Sequence, residues 1–165
     1  DPKYEDGTNS AAAERVISIA LAEFNLGVAE IPLGSNSGAR VCDYLHLTGI
    51  SCPNPWCAAF VSWVFQEAGH PLGECASAGV ATIKSCAEKK GWLVDNTLRS
   101  PSSGDIVIFR TDDGNNENDH AGIVIEVTSD SIITVEGNSS NRVSENTYSL
   151  TSPRLGTISV PGVTH

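Results

Sequence analysis

Apolar residues recur at Cys57, Phe60, Val61, Val64, Phe65 and Ala68, the i, i+3, i+4, i+7, i+8, i+11 spacing of one helical stripe. Pro53 and Pro55 resist any helix running in from the N-terminal side, Asn54 is available as a cap, and Gly69 followed by Pro71 ends the run. The pattern also predicts a helix from Ala11 to Phe24 behind Ser10, a short helical turn within Ala39 to Leu47, and a helical stretch from Val80 to Lys90 that stops at Gly91. The remainder of Gly27 to Asn54 is rich in Gly, Ser, Asn and Pro and reads as loop. After Pro101-Ser102-Ser103-Gly104 the period changes to short β-branched runs: Asp105 to Arg110, His120 to Val127, Ser131 to Glu136 and Gly156 to Val160. Helices first and strands second predict an α+β fold in which N-terminal helices pack on one face of a C-terminal antiparallel sheet. No internal repeat or long linker divides the 165 residues, so a single domain over 1–165 is expected.

Charge removes several function classes. Ten Lys and Arg against twenty Asp and Glu give a formal charge of -10, with no basic patch to neutralise phosphates, so nucleic acid is not an expected partner. No apolar stretch reaches the length of a membrane span, and no cationic amphipathic helix suggests surface binding. The chain lacks Met and opens on Asp1, which fits a processed product or an excised domain, and a monomer is expected.

Cysteine usage points to export. The five thiols Cys42, Cys52, Cys57, Cys75 and Cys86 are an odd set that becomes even when Cys57 is set aside. Four cysteines allow three pairings; Cys42 with Cys52 and Cys75 with Cys86 would make two short local loops, each contributing roughly 3 kcal/mol in the chain-entropy model. Five unlinked buried thiols in a reducing compartment is the competing reading. Cys and His spacing matches no zinc signature. The acidic run from Thr111 to Asp119 reads as a solvated loop; its oxygen ligands would suit calcium, but the spacing departs from the EF-hand loop, and no metal or cofactor is expected.

Cys57 opens its helix, where unpaired N–H groups and the positive end of the macrodipole favour a thiolate over a thiol. The bland alternative is a buried core cysteine. A nucleophile needs a base, and His46, His70 and His165 each have ordinary explanations: a loop, a helix C-terminus and the chain end. His120 opens a strand, which can hold an imidazole over a helix start. If Val127 pairs with Ser131 across Thr128-Ser129-Asp130, His120 faces Asn138 with Glu136 as diagonal neighbour, and all three share a face. A carboxylate or amide on the second ring nitrogen would fix the tautomer and raise basicity. Asn138-Ser139-Ser140 also matches a glycan acceptor.

Asn54-Pro55-Trp56-Cys57-Ala58-Ala59-Phe60-Val61-Ser62-Trp63-Val64, Gly104-Asp105-Ile106-Val107, His120-Ala121-Gly122-Ile123-Val124 and Glu136-Gly137-Asn138 together resemble the CHAP family, a branch of the papain-like NlpC/P60 superfamily, over most of the chain. The resemblance implies Cys57 as nucleophile, His120 as general base and then acid, Glu136 as the orienting third member and Asn138 as a further polar site residue. It also implies peptidoglycan as substrate, cut at an amide of the stem peptide, the cross-bridge or the muramoyl-alanine junction, and a secreted, cell-wall or periplasmic location. Many relatives carry Gln just before the cysteine. Here that position is Trp56, taken as substrate-binding, and helix-start backbone N–H groups are left as oxyanion donors. Competing readings are a D,L-endopeptidase or transacylase of the same mechanism, and a catalytically silent wall-binding module.

Overall fold

The computed structural model describes residues 9–110 and 118–164. In chain order these form α1 (Ala11–Asn25), α2 (Ala39–Leu47), α3 (Cys57–Glu67), a 3-10 turn at Gly73–Cys75, α4 (Val80–Lys89), β1 (Leu93–Val94), β2 (Ile106–Arg110), β3 (Asn118–Val127), β4 (Ser131–Ser139), β5 (Arg142–Ser149) and β6 (Leu155–Ile158). The strands make one sheet in the order β1-β6-β2-β3-β4-β5, every pairing antiparallel. This is the expected α+β arrangement.

Helix α1 starts where the sequence places it, because the Ser10 hydroxyl accepts from Ala13 N–H at 2.9 Å. Helix α3 differs from a one-striped surface helix. Ala58, Ala59 and Ser62 are buried as well as the Phe60, Val61, Val64 and Phe65 stripe, so α3 is enclosed on nearly all sides. Ser62 tolerates this because its hydroxyl accepts from Ser77 N–H and donates to the Ser77 carbonyl, at 3.1 and 3.2 Å. Asn54 does not cap α3. Its carboxamide donates back to the Ser51 carbonyl at 2.6 Å, and Trp56 occupies the cap position with no side-chain bond to the helix.

The stretch expected as a short turn is a full nine-residue helix, α2. Tertiary contacts stabilise it: Tyr44 stacks on Trp56 at 5.7 Å and meets Phe60 and Trp63 edge-on at 5.2 and 5.1 Å. The Tyr44 hydroxyl donates to Glu23 at 2.6 Å, while Arg40 donates to the same carboxylate through two nitrogens at 2.7 and 2.8 Å. Burial alone would raise the Glu23 pKa, but the bonds from Arg40 and Tyr44 outweigh it and hold the carboxyl below its ordinary value. Cys42 is bonded to Cys52 and Cys75 to Cys86, leaving Cys57 as the free cysteine.

Two strands escape the hydrophobic pattern. In β5 only Val143 is buried, and the strand lies at the sheet edge, where polar residues protect an exposed ladder. The two-residue β1 is the other edge. Gly104-Asp105 proves structural. Gly104 has φ +96 and lies where a Cβ would meet Ala13 Cβ at 2.9 Å. The buried Asp105 carboxylate accepts from Ser102 N–H at 2.7 Å and from Thr164, closing the turn into β2.

Candidate active site

Three elements converge. Cys57 stands at the first position of α3, 6% exposed, with its Sγ 4.0 Å from the Asp119 carbonyl at the start of β3. His120 follows on β3, and its Nε2 lies 2.7 Å from Glu136 Oε1 on β4. With Nε2 occupied, the Nδ1 edge is left for the thiol. Burial pulls the His120 pKa down, but its interactions with Cys57 and then Glu136 outweigh that and push it up to about 10. The site therefore favours an imidazolium at neutral pH. By helix geometry the N–H groups of Cys57 and Ala58 have no intrahelical acceptor, and the Trp56 side chain at the cap position does not bond to them.

The sheet register that joins His120 to Glu136 depends on a bulge. Near the hairpin Val127 pairs with Ile132, not Ser131, because the turn closes through Thr128 N–H to the Ser131 carbonyl at 2.8 Å. Continued without interruption, that register would set His120 opposite Ser139, with Glu136 on the far face. A shift between Val124 and Glu126 restores the pairs Ile123 with Val135 and Val124 with Thr134, which returns Glu136 to the His120 face.

The motif glycines make room for this geometry. A Cβ on Gly122 would sit 2.5 Å from Glu136 Cγ, so only glycine lets the carboxylate lie across β3. A Cβ on Gly137 would meet Phe60 Cβ at 2.6 Å, so this glycine lets β4 approach α3. The Phe109 ring lies 6.1 Å from the His120 ring and shields one side of it.

Two expected site residues are placed differently. Asn138 has φ +57, in the left-handed region, and its carboxamide donates to Asn36 at 3.4 Å, tying β4 to the loop before α2. It makes no bond to the imidazole, because the irregular backbone after Glu136 ends the strict alternation that put it beside His120. Trp56 is corrected outright as a substrate contact through its side chain. It is fully buried, with its indole N–H donating to the buried Glu30 carboxylate at 2.8 Å.

Three further features join the site. Thr134 donates to Glu136 Oε2 at 2.6 Å; two positions before Glu136 on one strand, it was legible by alternation. Glu30, which anchors Trp56 and also accepts from Gly34 N–H at 2.8 Å, left no local signal. A groove of about 550 Å³ leads from Cys57 past Pro55 and Asp119 to Gly79, Val80 and Lys84 at the start of α4, a juxtaposition only the fold creates. No three His, Cys, Asp or Glu side chains gather into a metal cluster among the described residues. Most of the acidic run considered for calcium, 111–117, lies outside the described residues, as does His165.

The CHAP domain family matches residues 49–138. The fold is similar to a crystal structure of Ly7917, with TM-score 0.57 and 22% identity over 91% of this chain and 62% of that one. It is also similar to a crystal structure of Ly7917 with the hydrolyzing product of MDP, with TM-score 0.54 and 19% identity over 91% of this chain and 63% of that one. The chain thus spans less than two thirds of either. No curated protein sequence matches it.

Proposed function

We propose that this chain, which belongs to the CHAP domain family, is a peptidoglycan hydrolase that cleaves an amide bond through Cys57, His120 and Glu136. The carrying observation is the helix-opening free thiol beside an imidazole whose far nitrogen is held at 2.7 Å by a buried carboxylate. In this reading Cys57 Sγ attacks the amide carbonyl as a thiolate, and the helix-start N–H groups of Cys57 and Ala58 receive the developing oxyanion. His120 gives its Nδ1 proton to the departing amine, leaving a thioester on Cys57. Water then loses a proton to His120 and attacks the thioester, which releases the carboxylic acid and restores the thiolate–imidazolium pair. Glu136 holds the ring and its charge throughout.

The groove of about 550 Å³ beside Cys57 is the space a substrate would occupy in this reading. The presence of the hydrolysis product of MDP, a muramyl dipeptide, in one fold neighbour supports a muropeptide as the ligand class. The scissile bond is accordingly the muramoyl-L-alanine amide or a stem or cross-bridge peptide bond, within the NlpC/P60 papain-like type of chemistry. Two disulfides support action outside the cytoplasm. The test is muropeptide release from purified cell walls. Cys57→Ala and His120→Ala should each abolish it, and full activity in either would sink the proposal.

A further inference from the structure

Glu136 is sealed from water, its side chain 1% exposed, so each carboxylate oxygen depends on a protein donor. Oε1 faces His120 and Oε2 faces Thr134, at 2.7 and 2.6 Å. Thr134 is itself fully buried, opposite Val124 in the ladder. Its single hydroxyl proton has two acceptors in reach, Glu136 Oε2 and the Asn146 carbonyl at 3.5 Å. The shorter, charge-assisted bond takes it.

We propose that Thr134 is a positioning residue of the reaction: by holding Oε2 it fixes the plane of the Glu136 carboxylate so that Oε1 stays in line with His120 Nε2. The assignment of a reaction rests on the amidase reading above. Tyr148 approaches the same carboxylate from β5. Burial first, and then the charge on Glu136 and a side-chain hydrogen bond to it, push its phenol above its ordinary pKa, so Tyr148 is a second hydroxyl at Glu136, and its ring lies 4.5 Å from Phe109. The alternative is that Thr134 merely fills the core.

Thr134→Val and Thr134→Ser separate the two. The Val variant keeps the volume and loses the donor, so kcat should fall about tenfold or more with KM within about twofold, as expected when a catalytic group is misaimed. The Ser variant should restore kcat. The second readout needs no substrate. The His120 Nε2–H proton resonance should be downfield and slow to exchange in the wild type and in Thr134→Ser, and lost or broadened in Thr134→Val. If the Val variant does not fold, Thr134→Ala takes its place in the same comparison. An unchanged resonance and kcat in the variant lacking the hydroxyl would overturn the proposal, as would equal losses in that variant and the Ser variant. If the wild type releases no muropeptide, the amidase reading fails, and the resonance still decides whether Thr134 positions Glu136.

Discussion

Gly122→Ala places one methyl group where the account is most sensitive. Its Cβ would lie 2.5 Å from Glu136 Cγ and 3.4 Å from both Glu136 Cδ and the Val135 carbonyl oxygen. Carbon atoms settle at about 3.5–4.0 Å, so Glu136 must retreat on the order of 1 Å. The carboxylate cannot follow that shift while keeping its bonds to His120 and Thr134, which are 2.7 and 2.6 Å long. Overpacking should cost about 1–3 kcal/mol of stability. The catalytic loss should be larger, since a misplacement of about 1 Å can reduce turnover about a hundredfold. Gly156→Ala is the control, because its methyl would press on Ile108 Cγ1 at 3.0 Å, away from the imidazole. Steady-state hydrolysis of a soluble muropeptide and a thermal melt on both variants give the answer. Gly122→Ala should lose most of its kcat/KM while Gly156→Ala loses only Tm. Wild-type turnover in folded Gly122→Ala would refute the claim that Glu136 must lie across Gly122 to orient His120.

Gly137→Ala should act on stability, because its methyl would meet Phe60 Cβ at 2.6 Å; about 1–3 kcal/mol of overpacking should lower Tm by roughly 2–12 °C in calorimetry. Glu23→Gln removes the charge shared by Arg40 and Tyr44, and a loss of about 2 kcal/mol in urea unfolding near neutral pH is expected. Because Glu23 titrates below its ordinary value when folded, its charge stabilises above about pH 4.5, and the gap between wild type and variant should close as pH falls through the folded pKa. For His120 the sign is opposite. Its folded pKa is raised to about 10, so its stabilising effect is complete below about pH 6.5 and disappears as pH rises toward 10. The alkaline limb of kcat/KM should fall near pH 10 in the wild type and at somewhat lower pH in Glu136→Gln, where the larger contribution from Cys57 remains; coincident limbs would count against Glu136 as a contributor to the shift.

Local signals in the sequence carried most of this architecture. The stripe from Cys57, the Ser10 cap and the β-branched runs each encode their element in adjacent residues. Helix α2 was underestimated because its stability comes from Tyr44 packing on Trp56, Phe60 and Trp63, residues distant in sequence. Strand β5 was invisible because an exposed edge needs no apolar alternation. The link from His120 to Glu136 was legible for an incomplete reason. The assumed pairing of Val127 with Ser131 is off by one at the turn, and the shift between Val124 and Glu126 cancels the error before it reaches the site. Asn138 and Trp56 were misplaced because their surroundings come from Asn36 and Glu30, in a loop whose course no periodicity specifies.

The proposed activity is cleavage of a peptidoglycan amide by Cys57 with His120 and Glu136 behind it. Its most direct test is mass spectrometry of the fragments released from peptidoglycan of defined composition by the wild type and by Cys57→Ala. Wild-type products should each carry a new amine or carboxyl terminus from one amide bond, with glycan linkages intact, and Cys57→Ala should give no such products. The same fragments from Cys57→Ala, or wild-type cleavage confined to glycosidic bonds, would contradict it.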